Sequence, residues 1–171
     1  STTNNPGGRS QGVTFVDNAG NLWLFGGLGN DASGNVENLN DLWKFNIITK
    51  EWTWMTGSNI VSATGVYGTL GVGSTTNTPG ARSRAVSWVD ANGNFWLFGG
   101  YGFASNPFAT ELSDLWKFNP TTLEWTWVSG PNVAGAVGVY GTKGVPSTAN
   151  KPGSRGNASS FKDLSGNLWL F

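Results

Sequence analysis

Charged side chains that recur at a fixed spacing are the residues of this chain that could carry chemistry. An arginine returns every 73 residues, and carboxylates and lysines return with the same period. The positions are Arg9, Arg82 and Arg155, Asp41 and Asp114, Lys44 and Lys117, and Glu51 and Glu124. A catalytic centre requires one distinctive site, whereas these side chains are present in every copy. We therefore predict that each arginine forms a structural tie to a carboxylate between strands or between neighbouring repeat units.

The composition removes most of the other reaction classes. The 171 residues include no histidine and no cysteine, which excludes imidazole bases, thiol nucleophiles, disulfides and nearly all zinc, copper and haem ligation. Ten Lys and Arg balance ten Asp and Glu, so the positive charge of a nucleic-acid-binding protein is absent. All apolar runs are shorter than the roughly 18 residues of a membrane span. We expect no catalytic residue, no metal, no cofactor, no nucleic-acid partner and no membrane span.

The elements that must position the recurring residues are short strands. Four segments of each repeat are apolar on one or both faces and rich in β-branched and aromatic residues. In the first repeat they are residues 13–16, 22–25, 42–45 and 52–55, in the second 86–89, 95–98, 115–118 and 125–128, and in the third 158–161 and 168–171. An Asp-x-x-Gly-Asn turn joins the first two segments of each repeat, since Asp and Gly suit tight hairpins. The sequence predicts antiparallel strands and no helix.

Four motifs recur together at fixed spacing: Pro-Gly-x-Arg, Trp-Leu-Phe-Gly-Gly, Asp-Leu-Trp-Lys-Phe-Asn and Glu-Trp-Thr-Trp. Four strands, a Gly-Gly pair after the second and a Trp in the fourth resemble the kelch repeat, which is one blade of a β-propeller. The residues with this structural role are Gly26, Gly27, Gly99, Gly100, Trp52 and Trp125, together with the three arginines. The resemblance implies an all-β fold, a β-propeller of four-stranded antiparallel kelch-like blades that is incomplete in this chain.

Each repeat exceeds the length of a kelch repeat, about 50 residues, by one insert. We expect blade 1 with its insert in residues 1–78, blade 2 with its insert in 79–151, and the first two strands of a third blade in 152–171. The inserts and the connections between the second and third strands leave each blade at the same end, so one face carries all the long loops. Propellers close with about four to eight blades. We therefore expect a piece of a longer propeller; the rival is a ring assembled from several copies of the chain.

The candidate binding residues lie in the long loops. They are Asp31, Asn35 and Glu37 in the first blade, Tyr101, Phe103 and Phe108 in the second, and Tyr67 and Tyr140 in the inserts. The loops between the second and third strands differ most between copies, which is typical of a recognition surface but also of unconstrained loops. The two insert tyrosines suit stacking on a sugar ring or pinning the insert to a blade, and we favour the pin. The first loop alternates oxygen ligands as a calcium loop does, but the second loop has no equivalent.

The favoured function is a non-catalytic scaffold, extracellular or on the cell surface, that binds or assembles through the long-loop face. An aromatic-rich, weakly charged composition is typical of secreted all-β proteins, and kelch propellers are commonly interaction scaffolds. The expected partners are further blades of the same propeller, other copies of the chain, or a protein or glycan. One alternative is the scaffold of a secreted carbohydrate-active enzyme or copper oxidase, because galactose oxidase and its relatives use kelch propellers. Another is a structural component of a cell-surface layer or filament.

Overall fold

The computed structural model describes residues 4–171, and all regular secondary structure in this range is β-strand. The strands form three antiparallel sheets. They are β1 (Arg9–Ser10), β2 (Val13–Val16), β3 (Leu22–Asn30), β4 (Val36–Asn46), β5 (Glu51–Thr56), β6 (Gly73–Ser74), β7 (Arg82–Ser83), β8 (Val86–Val89), β9 (Phe95–Gly102), β10 (Thr110–Asn119), β11 (Glu124–Ser129), β12 (Ser160–Lys162) and β13 (Leu168–Leu170). Each segment predicted in the first two repeats lies inside one of these strands, which confirms the all-β class. The division into residues 1–78, 79–151 and 152–171 stays a prediction, and residues 1–3 lie outside the described range.

The first sheet is a four-stranded blade whose inner strand is in two pieces. Both β1 and β2 pair with β3, which pairs with β4, and β4 pairs with β5 at the outer edge. Gln11 lies between the two pieces with a φ of 59°, and this left-handed residue interrupts the inner strand. Val13 and Phe15 of β2 are buried while Thr14 and Val16 are exposed. This confirms the period-two alternation that the sequence predicts.

The Asp-x-x-Gly-Asn turns close the β2–β3 and β8–β9 hairpins and the β12–β13 hairpin in the same way. In the first hairpin an oxygen of Asp17 accepts the backbone N–H of Asn21 at 2.9 Å, and its other oxygen accepts the indole N–H of Trp23 at 2.9 Å. Gly20 adopts the positive φ, 81°, that the turn requires. The side chains of Asp90 and Asp163 make the equivalent bonds to Trp96 and Trp169. These short turns all lie at the end of the blade opposite the long loops.

The second sheet repeats the first and gains a strand from the insert that follows blade 1. Its order from the inner edge is β7 and β8, then β9, β10 and β11, and β6 lies outermost. Ser74 lies opposite Trp125, and Gly73 lies opposite Thr126. Although β6 falls within the first predicted unit, it belongs to the sheet of the second. The insert of one blade therefore covers the outer edge of the next, and a covered edge is unavailable to other chains.

The third sheet is a hairpin of β12 and β13 packed on blade 2. The predicted first strand at 158–161 begins later, at Ser160, although Ser159 still exchanges two 2.9 Å backbone hydrogen bonds with Phe171. Trp88 donates its indole N–H to the carbonyl of Phe161 at 3.2 Å. Leu168 and Leu170 pack against the buried cluster on blade 2 that includes Trp88. The hairpin thus takes the same position on blade 2 as the inner strands of blade 2 take on blade 1.

Aromatic rings form the core between the first two blades. Phe15 stacks on Phe95 with ring centroids 4.5 Å apart, and Trp23 meets the same ring edge-on at 5.3 Å. Phe25 packs against Trp125 at 5.4 Å. All five side chains are buried. Such paired rings stabilise the interface beyond the effect of the apolar area that they remove from water.

The Gly-Gly pair permits the close approach of consecutive blades. Gly26 has a φ of 60°, and a Cβ there would lie 2.7 Å from the carbonyl oxygen of Arg82 in the next blade. Gly99 repeats this with a φ of 64° and the carbonyl oxygen of Arg155 at 2.7 Å. Only glycine combines this backbone conformation with this proximity. The pair is a packing requirement, as the sequence motif predicts.

Candidate functional site

A buried ion pair joins the inner strand β7 of blade 2 to its third strand, β10. Arg82 on β7 binds Asp114 on β10 through two parallel bonds, Nη1 to Oδ1 at 2.6 Å and Nη2 to Oδ2 at 2.8 Å. The side chains are 0% and 1% exposed. The guanidinium also donates to the carbonyls of Gly80 at 3.0 Å and Gly99 at 3.1 Å. These bonds satisfy both charges, as the burial of ions requires, and the pair ties two strands of one blade together.

Tyr67 completes this site from the insert of the preceding blade. Its hydroxyl donates to Oδ2 of Asp114 at 2.6 Å, and the indole N–H of Trp116 donates to the same oxygen at 2.7 Å. The Tyr67 ring lies 4.8 Å from Trp116 and meets Trp127 edge-on at 5.2 Å. We call these four residues of blade 2, Arg82, Asp114, Trp116 and Trp127, the filled socket. A tyrosine held there is a pin, which is the role that we favoured over sugar stacking.

The electrostatics of the filled socket keep the carboxylate charged and the phenol neutral. Burial opposes ionisation of Asp114, but the charge of Arg82 and the bonds from Tyr67 and Trp116 outweigh it and hold the Asp114 pKa below its ordinary value. Burial and then the charge of Asp114 raise the pKa of Tyr67 above its ordinary value. Burial tends to lower the pKa of Arg82, yet the Asp114 charge raises it on balance. The phenol therefore always acts as the donor in this contact.

The rest of the insert follows the outer strand of blade 2. The amide of Gly71 donates to the carbonyl of Trp127 at 2.8 Å. The side-chain amide of Asn77 donates to the carbonyls of Val72 and Trp125, both at 3.0 Å. Together with β6, these bonds hold the part of the insert that follows Tyr67 along β11.

Blade 1 contains the same socket without a tyrosine. Arg9 binds Asp41 through Nη1 to Oδ1 at 2.5 Å and Nη2 to Oδ2 at 2.8 Å, and the indole N–H of Trp43 donates to Oδ2 at 2.6 Å. The charged side chains are 6% and 7% exposed. Trp54, at the position of Trp127, is 44% exposed. A cavity of about 290 Å³ opens beside these four residues, which we call the open socket.

The first long loop folds around Asp31. Its Oδ1 accepts the amides of Ser33 at 2.8 Å and Asn35 at 2.9 Å, and its Oδ2 accepts the Asn35 side-chain N–H at 3.1 Å and the Val61 amide at 3.2 Å. These bonds hold the Asp31 pKa below its ordinary value in spite of some desolvation. Glu37 accepts the backbone and side-chain N–H groups of Asn38. The carboxylates of Asp31 and Glu37 are thus acceptors for N–H groups of the loop and, through Val61, of the insert.

The second long loop divides the predicted binding residues into buried and exposed ones. Phe103 is 8% exposed, so the expectation that it contacts a partner is wrong for this structure; its amide is bonded to the carbonyl of Ala81 at 2.9 Å. Tyr101 is half-buried under the guanidinium of Arg84, 5.6 Å from the ring centre. Phe108 is 72% exposed. Of these three aromatic residues, Phe108 presents its ring to solvent.

The insert tyrosines likewise differ from each other. Tyr67 is 5% exposed, so the expectation that it contacts a ligand is wrong, because the docked insert places it in the filled socket. Tyr140 is 84% exposed. Arg155, the third recurring arginine, donates its Nε–H to the carbonyl of Gly153 at 3.1 Å. The other recurring cations lie apart from the sockets: Lys44 is 3.8 Å from Asp17 and lies over the ring of Trp23.

The recurring tryptophans of the fourth strand have a structural position. Trp125 is 1% exposed and contacts Phe118 with ring centroids 4.9 Å apart. Trp52 packs on Phe45 at 5.0 Å and is half-buried. Among residues 4–171 there is no cluster of three side chains that could hold a metal ion. No helix suited to crossing a membrane occurs in that range either.

Comparison with known proteins agrees with this geometry. Residues 9–59, which contain β1 to β5, match the family model described as the Kelch motif. The first blade is similar to the kelch motif. Solved structures also match, among them one described as "Structure of YjhT", which is 19% identical over 72% of this chain with a TM-score of 0.51. The match spans 38% of the length of YjhT. No curated protein matches this chain.

The fold is that of a partial kelch propeller, as the motifs predict. Kelch-type domains support binding scaffolds in general, and at the long-loop end of these blades the surfaces that face solvent include parts of the long loops, parts of the inserts and the open socket. The recurring arginines and aspartates are occupied by structural ion pairs in both complete blades. The geometry therefore gives these arginine–aspartate pairs a structural role and leaves exposed surfaces at the long-loop end.

Proposed function

We propose that this chain is a non-catalytic binding scaffold, extracellular or on the cell surface, whose kelch blades present the tips of their long loops to a protein or glycan. The observation that carries the proposal is that the long loops are held to the blades by hydrogen bonds while their exposed side chains differ between blades. A rigid base lowers the entropy lost when a loop binds a partner. The exposed loop side chains differ between copies, so the repeated fold does not require them and they are free to serve recognition.

Both long loops are bonded to the insert that leaves the same blade. In blade 1 the amide of Ala32 donates to the carbonyl of Asn59 at 3.0 Å. In blade 2 Ser105 donates both its amide, at 3.1 Å, and its hydroxyl, at 2.7 Å, to the carbonyl of Asn132. These bonds support the expectation that the connection and the insert share one end of the blade.

The long loops differ at equivalent positions. Asn35 in blade 1 corresponds to Phe108 in blade 2 at the repeat spacing, and the Phe108 ring is 72% exposed. Folding gains little from an aromatic ring in solvent, whereas aromatic anchors contribute much of the free energy of binding at interfaces. Phe108 is therefore the residue on which we expect a partner to depend most.

The test is a screen of the protein against arrays of glycans and extracellular proteins, followed by affinity measurement with two variants. Phe108→Ser should weaken binding of a specific ligand about tenfold or more. Ile48→Ser is the matched control, because Ile48 is also exposed, 86%, but lies in the short β4–β5 turn at the opposite end. A ligand that both variants bind as the unchanged protein does, or the absence of any specific ligand, would contradict the proposal.

A further inference from the structure

The two complete blades provide an internal comparison, because the same four side chains surround a tyrosine in one blade and line a cavity in the other. The paired residues are Arg9 and Arg82, Asp41 and Asp114, Trp43 and Trp116, and Trp54 and Trp127. In both blades the arginine and the tryptophan of the third strand donate to the carboxylate in the same pattern. The open socket therefore has the arrangement of charges and donors that holds a phenol in blade 2.

The filled socket shows which chemistry this arrangement accepts. The Tyr67 hydroxyl donates to Oδ2 of Asp114 at 2.6 Å. The Tyr67 ring lies between two indoles, with centroid distances of 4.8 Å to Trp116 and 5.2 Å to Trp127. An arginine-bound carboxylate flanked by two tryptophans thus accepts a hydroxyl donor that is carried on a flat aromatic ring.

The open socket presents the same features to its cavity. Within residues 4–171, Oδ2 of Asp41 accepts bonds from Arg9 at 2.8 Å and from Trp43 at 2.6 Å, which correspond to two of the three donors on the aspartate of blade 2. The ring of Trp54 is 44% exposed and lines the cavity of about 290 Å³. Small-molecule sites have volumes of about 300–1,000 Å³, so this cavity suits a ligand of one ring with a short substituent.

The remaining lining of the open socket is more polar than that of the filled one. At the repeat spacing the corresponding pairs are Asn30 with Phe103 and Asp31 with Ala104. Phe103 and Ala104 are buried apolar residues, whereas an amide and a carboxylate line the cavity in blade 1. The charged residues of this lining are Arg9, Asp41 and Asp31, one positive and two negative. The cavity therefore attracts a cationic substituent and repels an anionic one.

We propose that the open socket binds a small phenol with a cationic substituent, for which tyramine is the probe. The phenol hydroxyl donates to Oδ2 of Asp41, the ring lies between Trp43 and Trp54, and the carboxylate of Asp31 attracts the ammonium group. The site does not depend on the proposed function, because Phe108 lies in the other blade and either test can fail alone.

A tyrosine carried on an insert of another molecule is a poor occupant of the open socket. In blade 2 the insert continues from Tyr67 to Thr78, which is held by the Val66–Thr78 bridge. At the repeat spacing Thr78 corresponds to Asn5, and Asn5 already lines the open socket. A second insert docked in the observed manner would bring its residue 78 into the place of Asn5. A free phenol carries no such backbone.

The experiment titrates the 171-residue protein with tyramine, phenethylamine and 4-hydroxyphenylacetate at pH 7, where the phenol is protonated. Ligands this small bind weakly, so the titration extends to about 10 mM. We expect saturable shifts of the Trp43 and Trp54 indole N–H signals with tyramine. Phenethylamine lacks the hydroxyl that bonds to a charged acceptor and should bind at least about tenfold more weakly. The anionic 4-hydroxyphenylacetate should bind several-fold more weakly than tyramine, because its charge is repelled.

Protein variants locate the binding. Trp54→Ala changes a partly exposed side chain and should abolish the tyramine shifts, whereas Ile48→Ser, at the opposite end of the blade, should leave the affinity unchanged. Asp31→Asn should weaken tyramine binding and reduce its advantage over the anionic phenol. The comparison of the three ligands uses the unchanged protein, so it decides the question even if a variant fails to fold.

Three results would overturn the proposal. They are the absence of saturable shifts up to about 10 mM, equal affinity for tyramine and phenethylamine, and tyramine binding that a folded Trp54→Ala variant retains. An anionic phenol that binds as tightly as tyramine would overturn the selection for a cation.

Discussion

Replacing Tyr67 by Phe removes one hydroxyl from the filled socket and leaves its ring in place. The lost bond is 2.6 Å long, buried and made to a charged carboxylate, and such bonds contribute about 1.5–3 kcal/mol. Oδ2 of Asp114 keeps its bonds from Arg82 and Trp116, so the carboxylate is not left without donors. We therefore expect the lower part of that range, a loss of about 1.5–2 kcal/mol in the free energy of unfolding.

Tyr140→Phe is the matched control, because the same motif surrounds a side chain that is 84% exposed. Its effect should stay within about 0.5 kcal/mol. Equilibrium unfolding in urea measures both differences, and a thermal melt should show a decrease of about 2–8 °C for Tyr67→Phe alone. Equal effects of the two substitutions would refute the assignment of Tyr67 as the pin.

Three further predictions concern the same framework. Arg82→Ala leaves the buried Asp114 carboxylate without its ion-pair partner and should lower the free energy of unfolding by about 3–5 kcal/mol. The control Arg84→Ala changes a partly exposed side chain and should lower it by less than about 1 kcal/mol. Equal losses of the two variants in urea unfolding would contradict this prediction. Gly99→Ala should destabilise the protein several times more than Gly34→Ala in the same assay. A Cβ at Gly99 would lie 2.7 and 3.0 Å from two carbonyl oxygens, whereas a Cβ at Gly34 would have no atom within 4 Å. The free energy of unfolding should fall as the pH rises above about 10. Because the pKa of Tyr67 is raised in the folded state, its phenol loses its proton in the unfolded state first, and this favours unfolding. A pH series of unfolding curves should show a smaller fall for Tyr67→Phe.

Local patterns predicted the blades because each strand has its own signature. The alternation of residues 13–16 reproduces the buried and exposed faces of β2, and the turn around Asp17 needs contacts within only six residues. These features depend on neighbours in sequence, so one repeat is enough to reveal them.

Local sequence patterns do not predict the two sockets or the insert strand β6. β6 has two residues and no periodicity, and it exists only because the insert lies along β11. The Tyr67 hydroxyl bonds to a carboxylate 47 residues away. Tyr67 and Tyr140 stand in the same Gly-Val-Tyr-Gly-Thr motif, yet one is buried and the other exposed. The motif predicted a pin, and only the tertiary contacts show which blade receives it.

Hydrogen exchange of the two inserts tests the docking of an insert on the next blade most directly. The Gly71 amide donates to Trp127, and Asn77 is 3% exposed, whereas residues 141–149 of the second insert are exposed throughout. Residues 65–77 should therefore exchange at least about tenfold more slowly than residues 138–150, because a docked segment must open before it exchanges. Equal exchange rates in the two segments would contradict the account.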